Sequence, residues 1–312
     1  MALVALTVVA LLGGAAASNG RQCPTVAAGV RRTPWGDPDL QGVWSGLESI
    51  GVPFDRDPAL GSRNVLTDAE FEARQAALQT NASPDVNIEA TNFGRGGAEP
   101  EIMRNRSHQA SLVVDPPDGR RPPRTAASDL RQPTPGSFSA GPFTSVADLG
   151  ILDRCIAFSP VSAAMPFNTL QIVQAPGYVV ILAEVIHEAR VVPLDGRPHL
   201  PAALKTYGGD SRGRWEGRTL VVTTTNFNGE TSLQGNAGGR PSERLSVIER
   251  FTLGDSNTLH YEATFDDPAT WTRPWTIAYP RTRDASGAVY EYACHEGNYS
   301  LANILSAARV KN

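Results

Sequence analysis

The chain has 312 residues, of which 41% are hydrophobic and only 19% are charged, and its formal net charge is -4. This composition is typical of a globular chain with a sizeable core, built as one large domain or two small ones, and excludes a disordered chain. A slightly acidic chain has no broad basic surface, so we expect no nucleic-acid partner.

The first 17 residues have the pattern of a secretory signal peptide. An apolar run at 2–12 is followed by small residues, with an A-x-A cleavage pattern at 15–17, although no basic segment precedes the run. The run is shorter than the roughly 20 residues that span a bilayer. We therefore expect export to the periplasm or the extracellular space without stable membrane insertion, a signal peptide over 1–17 and a linker over 18–33.

The remaining chain, 34–312, is predicted to form a single β-rich domain. A turn-rich stretch at 33–46 leads into a short strand at 43–44. A helix is predicted at 66–80, where Thr67 is the expected N-cap and Glu70 completes a capping box. Residues 81–143 are rich in Pro, Gly, Arg and Ser and form a long loop-rich insertion.

Strand patterns dominate from 167 to 292. Runs of β-branched residues are separated by turns at 176–177, 195–196, 216–217 and 254–257. Close, regular spacing predicts a mainly β fold, an antiparallel β-barrel or sandwich of lipocalin-like type, closed by a C-terminal helix at 299–309 that Asn298 caps. No βαβ alternation or phosphate-binding Gly loop occurs, so no nucleotide cofactor is expected.

Two of the three cysteines lie in segments that read as structured. Cys155 and Cys294 each sit inside an apolar segment, whereas Cys23 falls in the linker. In an oxidising compartment a Cys155–Cys294 disulfide is the natural pairing. The alternative is two buried thiols that behave as small hydrophobic groups.

Several motifs together resemble a large family of exported bacterial proteins of uncharacterised function. They are TPWGDPDLQGVW at 33–44, VVDPPDGR at 113–120, the block at 177–199 that ends in LDGRPH, and YEYACHEGNYSLANIL at 290–305. The resemblance implies export but no particular activity. The G-x-W at 42–44, with the antiparallel meander, also resembles lipocalin-like barrels.

The histidines could bind a metal ion or act in acid–base catalysis. His187, His199 and His295 lie among other ionisable residues and could complete a zinc site. None has the short spacing of a metal motif, so no metal site is predicted. Acid–base catalysis by His187 with Glu184, and by His295, is the preferred interpretation.

Alternation along 179–193, taken as one strand, places Glu184 and Arg190 on one face and His187 on the apolar face. A histidine in an apolar wall is a signature of a tuned catalytic group. The alternative is a structural histidine bonded to a backbone carbonyl. A second expectation is that His295 and Glu296, at a strand-to-helix turn, face the same pocket as His187.

Substrate-binding candidates complete the predicted site. Arg190 and Glu296 would contact the substrate, and the indoles of Trp271 and Trp275 would line a pocket beside Asp267, which would act as an acid or base. The alternatives are an arginine that fixes loop geometry and a turn with core tryptophans.

Two functions remain open at this point. The first is a cofactor-independent lyase, isomerase or hydrolase that acts on a small apolar or polycyclic molecule. The second is a non-catalytic, lipocalin-like protein that binds a small molecule. Converging ionisable side chains in the lumen would favour catalysis, and a smooth apolar cavity would favour binding alone.

Overall fold

A computed structural model describes residues 31–80, 107–130, 143–149, 151, 154–156, 168–230 and 240–310. The predicted signal peptide, most of the linker and much of the loop-rich insertion lie outside these ranges. No helix in the described ranges combines the length and the apolar character that crossing a membrane requires.

The described part of the chain contains ten strands and three α-helices. The strands are β1 (Gly42–Ser45), β2 (Val113–Asp115), β3 (Leu170–Ala175), β4 (Tyr178–Ala183), β5 (Glu188–Pro193), β6 (Asp210–Glu216), β7 (Thr219–Thr225), β8 (Ser246–Leu253), β9 (Thr258–Asp266) and β10 (Trp275–Arg283). The helices are α1 (Asp68–Thr80), α2 (Ala126–Leu130) and α3 (Ser300–Val310).

The strands form one antiparallel sheet that curls into a nearly closed barrel. Nine of them follow the order β5-β4-β3-β1-β10-β9-β8-β7-β6, and β2 pairs with β10 beside this path. The two ends of the path lie side by side, since a Cβ at Gly213 of β6 would come within 2.8 Å of Val192 of β5. The prediction of a mainly β, antiparallel barrel is confirmed.

Three of the predicted hairpin turns are confirmed. The β3–β4 and β6–β7 hairpins turn at Gly177 and Gly217, whose φ angles are +78° and +62°. Glycine adopts this left-handed conformation without the steric cost that other residues incur. The β8–β9 hairpin turns at 254–257, as the sequence pattern indicates.

The prediction of one strand over 179–193 is wrong. β4 ends at Ala183, a 3₁₀ turn occupies Val185–His187, and β5 returns antiparallel to β4 from Glu188. The turn uses the left-handed conformation at Ile186 and His187, with φ of 66° and 46°. It contains no Gly, Pro, Asn or Asp to mark it, and Ile186 is buried, so the apolar pattern continues through the turn.

Both long helices begin as predicted. At α1, the Thr67 hydroxyl accepts from the Glu70 N–H (3.3 Å) and the Glu70 carboxylate accepts from the Thr67 N–H (2.8 Å), which is a capping box. At α3, the Asn298 side chain accepts from the Ser300 N–H at 3.1 Å. This bond satisfies one of the amides that a helix start leaves without an intrahelical partner.

Aromatic and aliphatic side chains fill much of the inner face. One row crosses five neighbouring strands, because its members lie directly opposite one another in the register: Trp215, Leu220, Phe251, Tyr261 and Tyr279. The next row contains Glu249 between Val222 and Ala263. A charged residue therefore stands on the inner face of the barrel.

Candidate functional site

The predicted Cys155–Cys294 disulfide is present. The two Cα atoms are 5.8 Å apart, and the bond joins positions separated by 139 residues. It ties the C-terminal segment to the body of the protein just before α3.

This C-terminal segment lies across the turn between β4 and β5. The His187 ring is 2.9 Å from the Tyr292 carbonyl oxygen, so Nδ1–H donates to that oxygen. The Glu184 carboxylate accepts from the Tyr290 N–H, and burial raises the pKa of this carboxyl. Glu184 and His187 are therefore both attached to the segment that carries His295.

The environment of His187 differs from the prediction of an apolar wall. The imidazole is exposed and bonds to a backbone carbonyl, which is the structural alternative. His295 and Glu296 are also exposed, three and four residues beyond Tyr292. That the two imidazoles face one pocket stays a prediction.

Asp267 is buried, and its carboxylate is hydrogen-bonded at the turn that follows β9. Its carboxylate accepts from the Ser242 N–H (2.6 Å), the Ser242 hydroxyl (2.7 Å) and the Ala269 N–H (3.1 Å). The neighbouring Asp266 is exposed, so only the Asp267 carboxylate of this pair is buried. This is the environment that the alternative interpretation, a turn with core tryptophans, requires.

The two indoles near Asp267 are core residues. Trp271 and Trp275 are each 1% exposed, and their rings meet edge to face with centroids 5.4 Å apart. Trp275 also stacks on Phe265 at 4.5 Å. Of these two tryptophans, Trp275 belongs to the inner face of β10 and therefore borders the barrel interior.

A cluster of ionisable side chains lies inside the barrel. Arg190 donates from Nη2 to Glu249 Oε1 at 3.0 Å and from Nη1 to Oε2 through a shorter contact. Tyr261 donates to Glu249 Oε1 at 3.0 Å. Because β5 and β8 are not neighbours in the sheet, the Arg190–Glu249 ion pair spans the interior.

Arg281 extends this cluster on the β10 side. Its Nη2 donates to the Tyr279 hydroxyl at 2.6 Å and its Nη1 donates to the Asn168 carbonyl at 2.8 Å. The guanidinium carbon lies 5.3 Å from the Tyr261 ring centroid, close enough for a cation–π contact. We refer to Arg190, Glu249, Tyr261, Tyr279 and Arg281 as the interior cluster.

The interior cluster is buried, and both of its hydroxyls hold their protons at neutral pH. Glu249, Tyr261 and Arg281 are each 0% exposed. Burial and the nearby Glu249 charge raise the pKa of Tyr261 well above its usual value. Burial raises the pKa of Tyr279 to about 12. Tyr261 therefore donates to Glu249, the Tyr279 hydroxyl keeps its proton while it accepts from Arg281, and neither tyrosine serves as a base.

Three further donors inside the barrel have no acceptor among the described residues. They are Arg190 Nε, Trp215 Nε1 and Trp275 Nε1, on the inner faces of β5, β6 and β10. A buried polar group without a partner costs free energy, so each such donor calls for an explanation. All three are N–H groups, and an acceptor would satisfy each of them.

Of this cluster, sequence reasoning names only Arg190, as a substrate-binding candidate, and it misses the other four members. The signal was present: Val247 and Phe251 flank Glu249 at period-two spacing, so alternation places a carboxylate on an apolar face. The same rule places Tyr279 and Arg281 on the inner face beside Ile277. An ionisable residue on a buried strand face was a stronger signal than a histidine near a turn.

No group of three or more His, Cys, Asp or Glu side chains suited to a metal ion occurs within the described ranges. Comparisons with protein-family models, with curated proteins and with solved structures found no match to this chain.

Proposed function

We propose that this protein is an exported, non-catalytic binding protein whose barrel interior holds a small, largely apolar molecule with a polar head group. One observation carries the proposal: a buried cluster of ionisable side chains crosses the interior of a nine-strand path. Barrel diameter grows with strand number, and about eight strands already enclose enough space for side chains or one small ligand.

The composition of the interior cluster favours binding over catalysis. Converging ionisable side chains are expected in a catalytic lumen, but a general base must be free to accept a proton near neutral pH. Both Glu249 oxygens accept from Arg190, and one of them also accepts from Tyr261. The cluster is therefore equipped to hold a ligand group in place, and lacks a free base.

Export is the second part of the proposal. The Cys155–Cys294 disulfide supports it, because disulfides persist mainly in oxidising compartments such as the periplasm and the extracellular space. The signal-peptide pattern at 1–17 points the same way.

A neutral fluorescent probe tests the binding proposal. N-phenyl-1-naphthylamine should bind the oxidised protein saturably, with one site per chain. Ala263→Leu, which adds volume beside Glu249 on the inner face, should weaken this binding at least tenfold. Ala189→Leu, on the exposed outer face of β5, is the matched control and should leave it unchanged. Non-saturable binding, or equal effects of the two variants, would contradict the proposal.

Acid–base catalysis near the β4–β5 turn is a second candidate, favoured by a specific observation. The C-terminal segment holds Glu184 and His187 together and carries His295, and burial raises the pKa of Glu184 towards the range that a general acid needs. This candidate predicts that His187→Ala or His295→Ala abolishes turnover or ligand binding with little change in melting temperature.

Hydrolysis of a p-nitrophenyl ester and probe titration, with melting curves, separate the two candidates. Hydrolysis by the wild type that both variants lose would support the catalytic site. Unchanged probe binding in both variants, without hydrolysis in any form, would leave the binding function alone. If both variants simply unfold, the histidines are structural.

A further inference from the structure

We propose that the occupant of the barrel is an amphipathic carboxylate whose head group binds at the Nε edge of Arg190. This inference rests on the proposed binding function and names its ligand class. Three observations carry it: the charge inside the barrel, the chemistry of the buried donors, and the apolar side chains next to the cluster.

The first observation is the balance of charge. Arg190 is attracted by the half-buried Glu188 of β5 as well as by Glu249. Among the described side chains of the barrel interior that are buried, two guanidiniums, Arg190 and Arg281, accompany one carboxylate, Glu249. A net positive charge in a low-dielectric interior is costly unless a charge of the opposite sign compensates it. One ligand carboxylate would bring this set of groups to neutrality.

The second observation is that the buried groups in need of a partner are donors. The Nη atoms of Arg190 are directed at Glu249, whereas its Nε–H finds no acceptor in the described part of the chain. The indole N–H groups of Trp215 and Trp275 also find no acceptor in the described part of the chain. An ionised carboxylate offers only acceptors, and hydrogen bonds to a charged group are stronger than neutral ones.

The third observation concerns the apolar part of the ligand. The row that contains Glu249 also contains Val222 and the small residue Ala263, and the row beside it contains Val247 and Phe265. Next to the charged groups, the inner face is thus apolar and partly lined by short side chains. An alkyl or aromatic tail attached to the carboxylate would bury its surface there.

Alternative head groups fit these observations less well. A cationic head group would add to the positive charge. An alcohol has an acceptor oxygen but cannot neutralise a guanidinium, and it brings a donor of its own. We therefore expect the carboxylate to bind about 10- to 100-fold more tightly than the alcohol of the same chain length.

Competition against N-phenyl-1-naphthylamine measures this preference in the oxidised full chain. The three competitors are dodecanoate, dodecan-1-ol and dodecyltrimethylammonium at pH 7.5, each below its aggregation limit. Dodecanoate should displace the probe at a concentration at least tenfold lower than dodecan-1-ol, and the ammonium compound should be the weakest.

A double variant locates the head group. Arg190→Met with Glu249→Met removes the ion pair together, which avoids leaving one charge buried alone. We expect this variant to lose the preference for dodecanoate, so that dodecanoate and dodecan-1-ol displace the probe at similar concentrations, each measured against the variant's own affinity for the probe. A preference that persists in the variant would overturn the assignment to Arg190.

The measurements distinguish a failure of the carboxylate inference from a failure of the binding function on which it rests. If the probe binds but dodecan-1-ol competes as well as dodecanoate, the carboxylate inference is wrong and the binding function stands. If the probe does not bind the wild type, the proposed function itself fails. If the double variant does not fold, Arg190→Lys provides the second test: it removes the Nε donor at the guanidinium edge, and dodecanoate affinity should fall relative to that of dodecan-1-ol.

Discussion

Glu249→Ala should destabilise the protein by about 3 to 5 kcal/mol, because it leaves the buried guanidinium of Arg190 without its counter-charge. Glu249 is 0% exposed and accepts from both Arg190 and Tyr261, so the substitution also removes the acceptor of a buried hydroxyl. Urea denaturation of wild type and variant, followed by circular dichroism, gives the difference in the free energy of unfolding.

Two controls show whether this loss comes from the isolated charge. The double variant Arg190→Met/Glu249→Met should recover the part of the stability that the isolated charge costs, because replacing a buried ion pair by apolar groups is often neutral, while the Tyr261 hydroxyl still lacks its acceptor. Glu216→Ala breaks an exposed pair with Arg250 and should cost less than about 1 kcal/mol. A double variant as unstable as Glu249→Ala would contradict the account of the ion pair.

Replacing both disulfide cysteines, Cys155→Ser with Cys294→Ser, should also destabilise by about 3 to 5 kcal/mol. The bond closes a loop between positions separated by 139 residues, so its removal frees many conformations of the unfolded chain. The C-terminal segment, attached to the body also by the Tyr292–His187 bond, should become more accessible to protease.

Denaturation of the oxidised wild type, the reduced wild type and the double serine variant measures this effect. The reduced wild type and the variant should agree with each other. Cys23→Ser is the matched control, since Cys23 is not part of this bond, and it should leave stability unchanged. Equal stability of the oxidised wild type and the double serine variant would show that the crosslink contributes nothing.

The hairpins were predictable because their turns carry local signals. Gly177 and Gly217 adopt positive φ angles, and a strand rich in β-branched residues follows each of them. The disulfide was predictable from compartment and context, since the sequence pattern indicates export and both cysteines stand in structured segments. The hairpin predictions use residues close together in sequence, and the disulfide prediction uses the local context of each cysteine.

The turn between β4 and β5 was not predictable in the same way. Val185 and Ile186 are buried, so the segment reads as a continuing apolar strand, and nothing in it marks a reversal. The left-handed conformation of Ile186 is held by tertiary packing and not by its own propensity. As a result, His187 was assigned to the wrong face.

Only part of the candidate site could be predicted from the sequence, because its contacts depend on how the strands curve. Alternation places Glu249 on an inner face, whereas for Arg190 it predicted the face opposite the apolar one, and the structure buries Arg190 instead. Their pairing depends on the curvature that brings β5 opposite β8 across the barrel. Sequence reasoning chose Asp267 because it stands beside tryptophans, although its carboxylate is taken up by Ser242 and Ala269. Long-range geometry decides both cases.

The central claim is that a small molecule binds inside the barrel at the interior cluster. A crystal structure of the oxidised full chain grown with dodecanoate tests it most directly. The account predicts electron density inside the barrel, with a carboxylate oxygen about 3 Å from Arg190 Nε and the alkyl chain against the inner face near Ala263. Dodecanoate bound only to the outer surface, with side chains alone filling the space around Arg190, would contradict it.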